Sequence, residues 1–215
     1  HLGVNAVNLI LDDVHVLDGI IKEVTAKKLV HSLQLNLGLE RLFQVGNQFG
    51  IGADIAGRLY DQYGSEAQDI LIQDPYRLVF EFDGISFKTA DQIGQKSGID
   101  QLDDRRLQAA VYAAIMTVSF QYGHTYLTRQ QLLQSTAQLL RDEALEDDLD
   151  QAITKLLATH VLVADDDKLY AAALYDAETQ VAHDLKRLLQ ANQPFEMSVE
   201  DIDAAFITPG QLELD

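Results

Sequence analysis

Two segments of the sequence place glycine, apolar and small residues at the same offsets. The first runs from Gly50 to Leu59 and the second from Gly84 to Ile93, so that they start 34 residues apart. In both, a glycine and an isoleucine come first, an alanine stands at the seventh position, and an apolar residue stands at the tenth. The glycine favours a tight turn, and the alanine lets two helices touch. Backbone N–H groups at the start of the second helix, together with its dipole, then form a site for an anion such as a phosphate.

This pattern is typical of a helix-hairpin-helix, which binds a nucleic-acid backbone without reading its bases. The candidate contacts are the turn residues and nearby cationic or hydroxyl side chains: Gly50, Ile51, Gly52, Arg58, Gly84, Ile85, Ser86, Lys88 and Thr89. An ordinary helix–helix turn with a solvated face is the alternative for each segment. Ser86 replaces a second glycine, and its N–H can still donate, although its backbone is less free.

Copies at a fixed spacing predict stacked repeat units that bury their faces against each other. An upstream segment, from Ile20 to Leu29, has no glycines at the turn positions. We interpret it as a degenerate copy that keeps its packing through Ala26 and Leu29 and has lost the phosphate site.

The composition narrows the possible functions. The net charge of −18 over 215 residues argues against a broad basic surface for nucleic acid, so any contact must be local. The absence of cysteine excludes disulfides and thiolate metal sites and fits a cytoplasmic protein. No apolar run is long enough to cross a membrane, which predicts no membrane partner.

Helical periodicity extends from about residue 5 to 45 and around both turns to about residue 98. Tyr63-Gly64 and Ser97-Gly98 are expected as helix C-caps. Asp74 is expected as the N-cap of another helix, with Pro75 at its first position.

The second half predicts three helices followed by a β-hairpin, the order of a winged helix. Asp103-Asp104 opens the first helix, and Thr128 to Gln131 form a capping box for the second. Residues 123–127 are expected as a short extended link and 145–159 as the third helix. Strands are expected at 161–164 and 169–172, joined by the turn Asp165 to Lys168, and a last helix at about 176–190.

The sequence therefore predicts a mainly α fold, with tandem helix-hairpin-helix repeats followed by a winged-helix-like domain with one β-hairpin. The expected domains are residues 1–101, residues 102–191 and a linker at 192–215 that contains Pro194, Pro209 and Gly210. The third helix begins with carboxylates, at Glu146, Asp147, Asp148 and Asp150. Because these would repel phosphates, a packing role is favoured for that helix.

No catalytic or metal site is expected. The six histidines are scattered without metal-ligand spacing, and no serine or histidine arrangement indicates a nucleophile. Three aspartates at 165–167 lack the ligand spacing of a calcium loop and predict a polar turn. The sequence also has no phosphate loop for a nucleoside triphosphate.

The chain resembles the region before the motor of bacterial RecD-like superfamily 1 DNA helicases, relatives of the exodeoxyribonuclease V alpha subunit. The resemblance covers about residues 10 to 190 and keeps the family's order. The segment from Gly84 to Ile93 carries it most closely. The other segments are Asn36 to Leu42, Phe49 to Gly52, Ile55-Ala56, Leu59-Tyr60, Tyr63-Gly64, Asp74 to Leu78, Gly123 to Leu127 and Leu174 to Glu178.

The resemblance implies a DNA-binding accessory region of an ATP-dependent helicase that moves 5′ to 3′ in DNA recombination and repair. In that family the motor follows this region and uses ATP and Mg²⁺. This segment is expected to bind no cofactor and to have no enzymatic activity by itself. It is also expected to end just before the motor. Its expected partners are single-stranded or junction DNA, bound through the backbone, the motor of the same chain and another repair protein. Two alternatives stay open: an acidic protein-interaction module of the same helicase, and a stand-alone repair enzyme such as a glycosylase or nuclease.

Overall fold

The computed structural model describes residues 6–141 and 146–190, and these are mainly helical. The α-helices are α1 (Ala6–Asp12), α2 (Glu23–Asn47), α3 (Ala53–Tyr63), α4 (Ala67–Gln73), α5 (Arg77–Glu81), α6 (Phe87–Lys96), α7 (Asp104–Tyr122), α8 (Arg129–Leu140), α9 (Glu146–Ala158) and α10 (Ala172–Gln190). The strands are β1 (Tyr126–Thr128), β2 (Leu162–Asp165) and β3 (Lys168–Ala171). The predicted mainly α class is confirmed.

The chain divides into two units after Ala172. The first unit contains the helices up to α9 and all three strands. The described part of the second is α10 without its first residue, and it contains no buried residue.

Two helix–turn–helix hairpins lie in the first half of the first unit. The first hairpin comprises α2, a turn and α3; the second comprises α5, a turn and α6. The apolar and alanine positions of the shared pattern are all buried in one hydrophobic core: Ile51, Ala56, Leu59, Ile85, Ala90 and Ile93. The pattern therefore marks residues that both hairpins bury in one shared core. Gly64 and Ser97 cap the C-terminal ends of α3 and α6, as predicted.

The predicted N-cap at Asp74 is wrong. Helix α5 begins at Arg77, its N-cap is Tyr76, and no side chain caps it. Asp74 instead ends α4, and Arg77 and Leu78 donate their N–H groups to the carbonyls of Asp74 and Pro75. The proline thus lies in a turn that precedes the helix.

The upstream segment also packs differently from the prediction. Ala26 is buried with Ile10 and Leu17 in a separate small cluster, but Leu29 is 38% exposed. Val30, the next residue on α2, packs against that cluster. The buried face of α2 is therefore rotated by one position from the expected one.

The second half places α7, α8 and α9 beside a small antiparallel sheet with the order β1-β3-β2. The predicted capping box at the start of α8 is present, between Thr128 and Gln131. The predicted hairpin of β2 and β3 is also present, with Asp166 at φ +53° in its turn. The expected link before α8 is instead partly a strand: Tyr126 in β1 pairs with Tyr170 in β3, which gives the sheet a third strand.

Helix α10 begins at Ala172, four residues before its expected start. The expected linker at 192–215 and the first residue of the expected third helix, Leu145, lie outside the described residues. In the described ranges, no helix has the length and apolar character needed to span a bilayer.

Candidate nucleic-acid interface

The second turn presents the start of α6 at the surface. Gly84 has φ +121°, a conformation that favours glycine, and Ile85 is buried beneath the turn. Ser86 caps α6, and its side-chain Oγ accepts the N–H of Thr89 at 3.2 Å. Within the described residues, the N–H groups of Phe87 and Lys88 have no acceptor. They are the donors that remain for an anion at this helix start.

The first turn leaves a different set of donors. Gly50 has φ +73°, and the N–H of Ile51 is already used, donating to the carbonyl of Gly46 at 2.9 Å. Gly52 is the N-cap of α3 and offers no side chain to cap it. In the part of the chain that the structure describes, the N–H groups of Ala53, Asp54 and Ile55 therefore lack acceptors.

The two helix starts carry opposite charges at the same position of the pattern. Asp54 occupies this position at the start of α3, and Lys88 occupies it at the start of α6. Asp54 forms a surface ion pair with Arg58 one turn later, at 3.5 Å. Lys88 forms no ion pair with any described residue. An anion at the second helix start thus meets a cation, whereas one at the first meets a carboxylate.

Arg58 extends from the first hairpin to the second turn. Its guanidinium carbon lies 5.3 Å from the centroid of the Phe82 ring, and a Cβ added at Gly84 would lie 2.9 Å from its Nη2. The absence of a side chain at Gly84 therefore leaves the space in which this guanidinium lies. The structure thus brings Arg58 beside Gly84 in the second turn.

Lys96 makes the reciprocal contact from the second hairpin. Its Nζ lies 3.5 Å from the carbonyl of Gln48 and 4.9 Å from the centroid of the Phe49 ring. Both residues belong to the first turn, beside Gly50. Lys96 is not among the predicted contacts, because no local pattern connects it to a turn 48 residues away.

A buried polar network holds the second hairpin in place. The Arg106 Nε donates to Asp91 Oδ1 at 2.6 Å, and the Tyr76 hydroxyl donates to the same oxygen at 2.9 Å. Arg106 also donates to the carbonyl of Gln101. Burial, and then the hydrogen bond to Asp91, raise the pKa of Tyr76 above its ordinary range, so its hydroxyl remains a donor. The network fixes α6 to α7.

The candidate residues fall into two groups in space. Arg58, Gly84, Ser86, Lys88 and Thr89 surround the second turn. Gly50 and Gly52 lie at the other turn, which receives Lys96. The side chains of Ile51 and Ile85 are buried, and the N–H of Ile51 already donates to Gly46, so neither residue offers a side chain to a ligand and Ile51 offers no N–H.

The second half of the first unit uses several of its cations internally. Arg129 pairs with Asp150 at 2.5 Å, and Lys155 pairs with Asp104 at 2.5 Å. Helix α9 opens with acidic residues, Glu146, Asp147 and Asp148. Its N-terminal end therefore presents carboxylates to solvent. No group of His, Cys, Asp or Glu among the described residues is arranged to hold a metal ion.

Comparison with known proteins places these hairpins in a family. Residues 36–126, which include both turns, match the family model of the ATP-dependent RecD2 DNA helicase HHH domain, a helix-hairpin-helix domain. An ATP-dependent RecD2 DNA helicase from Deinococcus radiodurans is 31% identical over 182 residues, which cover 79% of this chain and 25% of that protein. The chain thus spans about a quarter of the length of this relative. It belongs to the RecD-like DNA helicase family, as a region that carries the helix-hairpin-helix domain.

Proposed function

We propose that this chain is a DNA-binding accessory region of an ATP-dependent 5′-to-3′ RecD-like helicase that acts in recombination and repair. It contacts the DNA backbone through its hairpin turns and helps to hold the strand near the motor. The observation that carries this proposal is the second turn, where the N–H groups of Phe87 and Lys88 have no acceptor among the described residues, Lys88 adds a cation, and the Arg58 guanidinium lies beside Gly84. Such a site recognises phosphate and carries no base readout.

The two turns contribute unequally in this proposal. The second turn provides the main contact, through Gly84, Ile85, Ser86, Lys88 and Thr89, with Arg58 from α3. Because its side chain caps the N–H of Thr89, Ser86 leaves the N–H groups of Phe87 and Lys88 to the ligand. The first turn, at Gly50, Ile51 and Gly52, provides the weaker contact, since Asp54 repels a phosphate there.

The domain organisation is part of the proposal. Residues 1–101 form the tandem hairpin region, residues 102–191 a winged-helix-like domain, and residues 192–215 a linker toward a motor. The order α7, β1, α8, α9, β2, β3 supports the second assignment. The acidic start of α9 favours packing against protein over DNA contact for that helix.

The region itself binds no cofactor and has no enzymatic activity in this proposal. ATP and Mg²⁺ are used by the motor of the whole helicase, which works in the cytoplasm. Support comes from the sequence, which lacks a phosphate loop. Measurable ATP hydrolysis by the pure 215-residue chain, stimulated by DNA, would contradict it.

Charge reversal at the second turn tests the DNA contact. We expect Lys88→Glu to weaken binding of all DNA sequences by about the same factor, because it replaces an attraction with a repulsion at the backbone. Fluorescence anisotropy of labelled oligonucleotides, titrated at several salt concentrations, measures this effect. A contact to few phosphates predicts a shallow dependence on salt.

Lys28→Glu is the matched control, since it changes the net charge equally at an exposed residue of the same domain. Lys28 lies 19 residues before the end of α2, about 28 Å along the helix from the first turn. Equal losses of DNA affinity for both variants would show that the effect comes from the overall charge and not from the second turn. Unchanged binding by Lys88→Glu would contradict the proposal.

The acidic start of α9 and the net charge of −18 support a second candidate, an acidic module that binds the motor or a repair protein without touching DNA. Glu146→Lys separates the two. DNA contact through the hairpins predicts unchanged or slightly stronger DNA binding for this variant. The interaction module predicts weaker association with the motor, measured by calorimetry, while Lys88→Glu leaves DNA binding unchanged.

A further inference from the structure

An aromatic groove lies beside the second turn. It has a volume of about 520 Å³ and is bounded by α5, the turn, the start of α6 and one face of α7. Its lining includes five aromatic side chains: Phe80, Phe82, Phe87, Tyr112 and Phe120. A volume of this size is typical of small-ligand sites, which combine apolar walls with a few polar groups.

The aromatic residues differ in depth. Phe82 and Phe87 are buried and form the floor, whereas Phe80 and Tyr112 are half-buried, with ring centroids 5.0 Å apart. Phe120 is 79% exposed at the edge of the groove. Because this ring is not packed in the hydrophobic core, its face is free for stacking.

The polar groups of the groove are at the turn. Ser86 and Lys88 line it together with the aromatic residues, and Lys88 carries one of the unpaired N–H groups. Asp83 is the acidic lining residue. Burial and the nearby Asp83 carboxylate raise the pKa of Tyr112. The groove thus combines aromatic walls with a cation and a carboxylate.

We propose that this groove binds one unstacked base of single-stranded DNA, whose phosphate lies at the start of α6. The inference rests on the proposed function, because the second turn supplies the phosphate contact. It adds a stacking site that a backbone contact alone does not require. It also names the preferred substrate, which is a single strand or a frayed end.

The chemistry of the groove fits a nucleotide. Each of the four bases has an aromatic face that can stack on Phe120 and Tyr112, so stacking of this kind does not depend on the sequence. The phosphate is complementary to the Lys88 cation. Asp83 can accept a hydrogen bond from an exocyclic amino group, so bases that carry one are favoured over thymine.

A single-stranded oligonucleotide with one fluorescent 2-aminopurine tests the proposal in the whole chain. We expect the fluorescence of 2-aminopurine to fall on binding, because the base stacks against an aromatic ring. Phe120→Ala is expected to weaken single-strand binding by about fivefold or more and to remove this quenching. Binding of a blunt duplex, followed by anisotropy, is expected to change less than twofold.

Tyr122→Ala is the matched control. Tyr122 is 70% exposed and lies on the same helix two residues away, but it does not line the groove. Because both residues are exposed, neither variant removes core packing. Equal effects of the two variants, or quenching that persists in Phe120→Ala, would overturn the base site.

Failure of this inference can be distinguished from failure of the proposed function. If Lys88→Glu weakens binding of both DNA forms and Phe120→Ala changes neither, the phosphate contact stands and the base site is wrong. If Lys88→Glu changes neither DNA form, the proposed function is wrong, and the base site that depends on it is wrong as well.

Discussion

The two hairpins have similar turns but different surfaces. Each turn buries an isoleucine and an alanine at the same positions and begins with a glycine at positive φ. At the exposed helix start, however, Asp54 in the first hairpin corresponds to Lys88 in the second. The residues that form the turn are therefore separate from those that determine whether it attracts an anion. A helix-hairpin-helix pattern predicts the geometry of both turns, and in the proposed function the charge at the helix start decides which turn attracts a phosphate.

The hairpins also differ in how they are anchored. In the second, Asp91 on α6 pairs with Arg106 on α7, and the Arg106 side chain is only 7% exposed. The corresponding helix of the first carries the Asp54–Arg58 pair, which is exposed to solvent. A buried ion pair thus anchors the helix that carries Lys88, whereas the pair at the start of α3 is exposed to solvent.

The largest expected effect follows from this difference in burial. Asp91→Ala is expected to lower the free energy of unfolding by about 3–5 kcal/mol, because it leaves Arg106 buried without its partner. Asp54→Ala, which breaks the surface pair, is expected to cost less than about 1 kcal/mol. Chemical denaturation followed by circular dichroism measures both values. Similar losses for the two variants would contradict the difference in anchoring.

Substitution of the turn glycines is expected to have the next largest effect on the free energy of unfolding. Gly84→Ala is expected to cost about 2–3 kcal/mol, because its φ of +121° is unfavourable for alanine and Arg58 must move. Gly50→Ala, at φ +73° with open space around it, is expected to cost about 1 kcal/mol. The same denaturation experiment compares them. A larger cost at Gly50 would show that the second turn is the more tolerant one.

A charge exchange tests the surface difference directly. Asp54→Lys is expected to raise DNA affinity by about threefold to fivefold, because it gives the first helix start the cation of the second and releases Arg58 from its pair. Asp61→Lys, on the same helix, makes an equal change of charge away from the turn and is the control. Anisotropy titrations at one salt concentration measure both. No gain for Asp54→Lys over Asp61→Lys would show that the first turn does not contact DNA.

The smallest effect concerns the helix caps. Gly52→Ser is expected to stabilise the first hairpin by a few tenths of a kcal/mol, because a serine at this position can accept an N–H of α3, as Ser86 does in α6. Ser86→Gly is expected to have the opposite effect of similar size. Thermal unfolding of the two variants measures these opposite changes in stability. Changes of the same sign would show that the two caps are not equivalent.

The sequence predicted the local features of the fold well. The buried isoleucines and alanines, the capping box at Thr128 and the hairpin of β2 and β3 depend on neighbouring residues, and all are present. The third strand was missed because β1 has only three residues and is defined by its pairing with β3. The N-cap at Asp74 was wrong because the turn through Pro75 and Tyr76 delays the start of α5.

The candidate site was predicted only in part, for the same reason. The turn residues and Lys88 follow from a local pattern. The positions of Arg58 beside Gly84 and of Lys96 beside Gln48 depend on how the hairpins pack, which no spacing in the sequence reveals. The ion pair between Asp91 and Arg106 likewise joins two helices, and neither residue belongs to a recognisable motif.

The crossing of Arg58 and Lys96 makes the hairpins thermodynamically interdependent. Each turn receives a cation from the other hairpin, so neither would keep its complete set of contacts if it were excised. An anion bound to this arrangement stabilises only the state in which both hairpins are folded together. Binding at one turn would therefore slow amide hydrogen exchange in both α3 and α6, so that two short helices respond to a ligand as one cooperative unit.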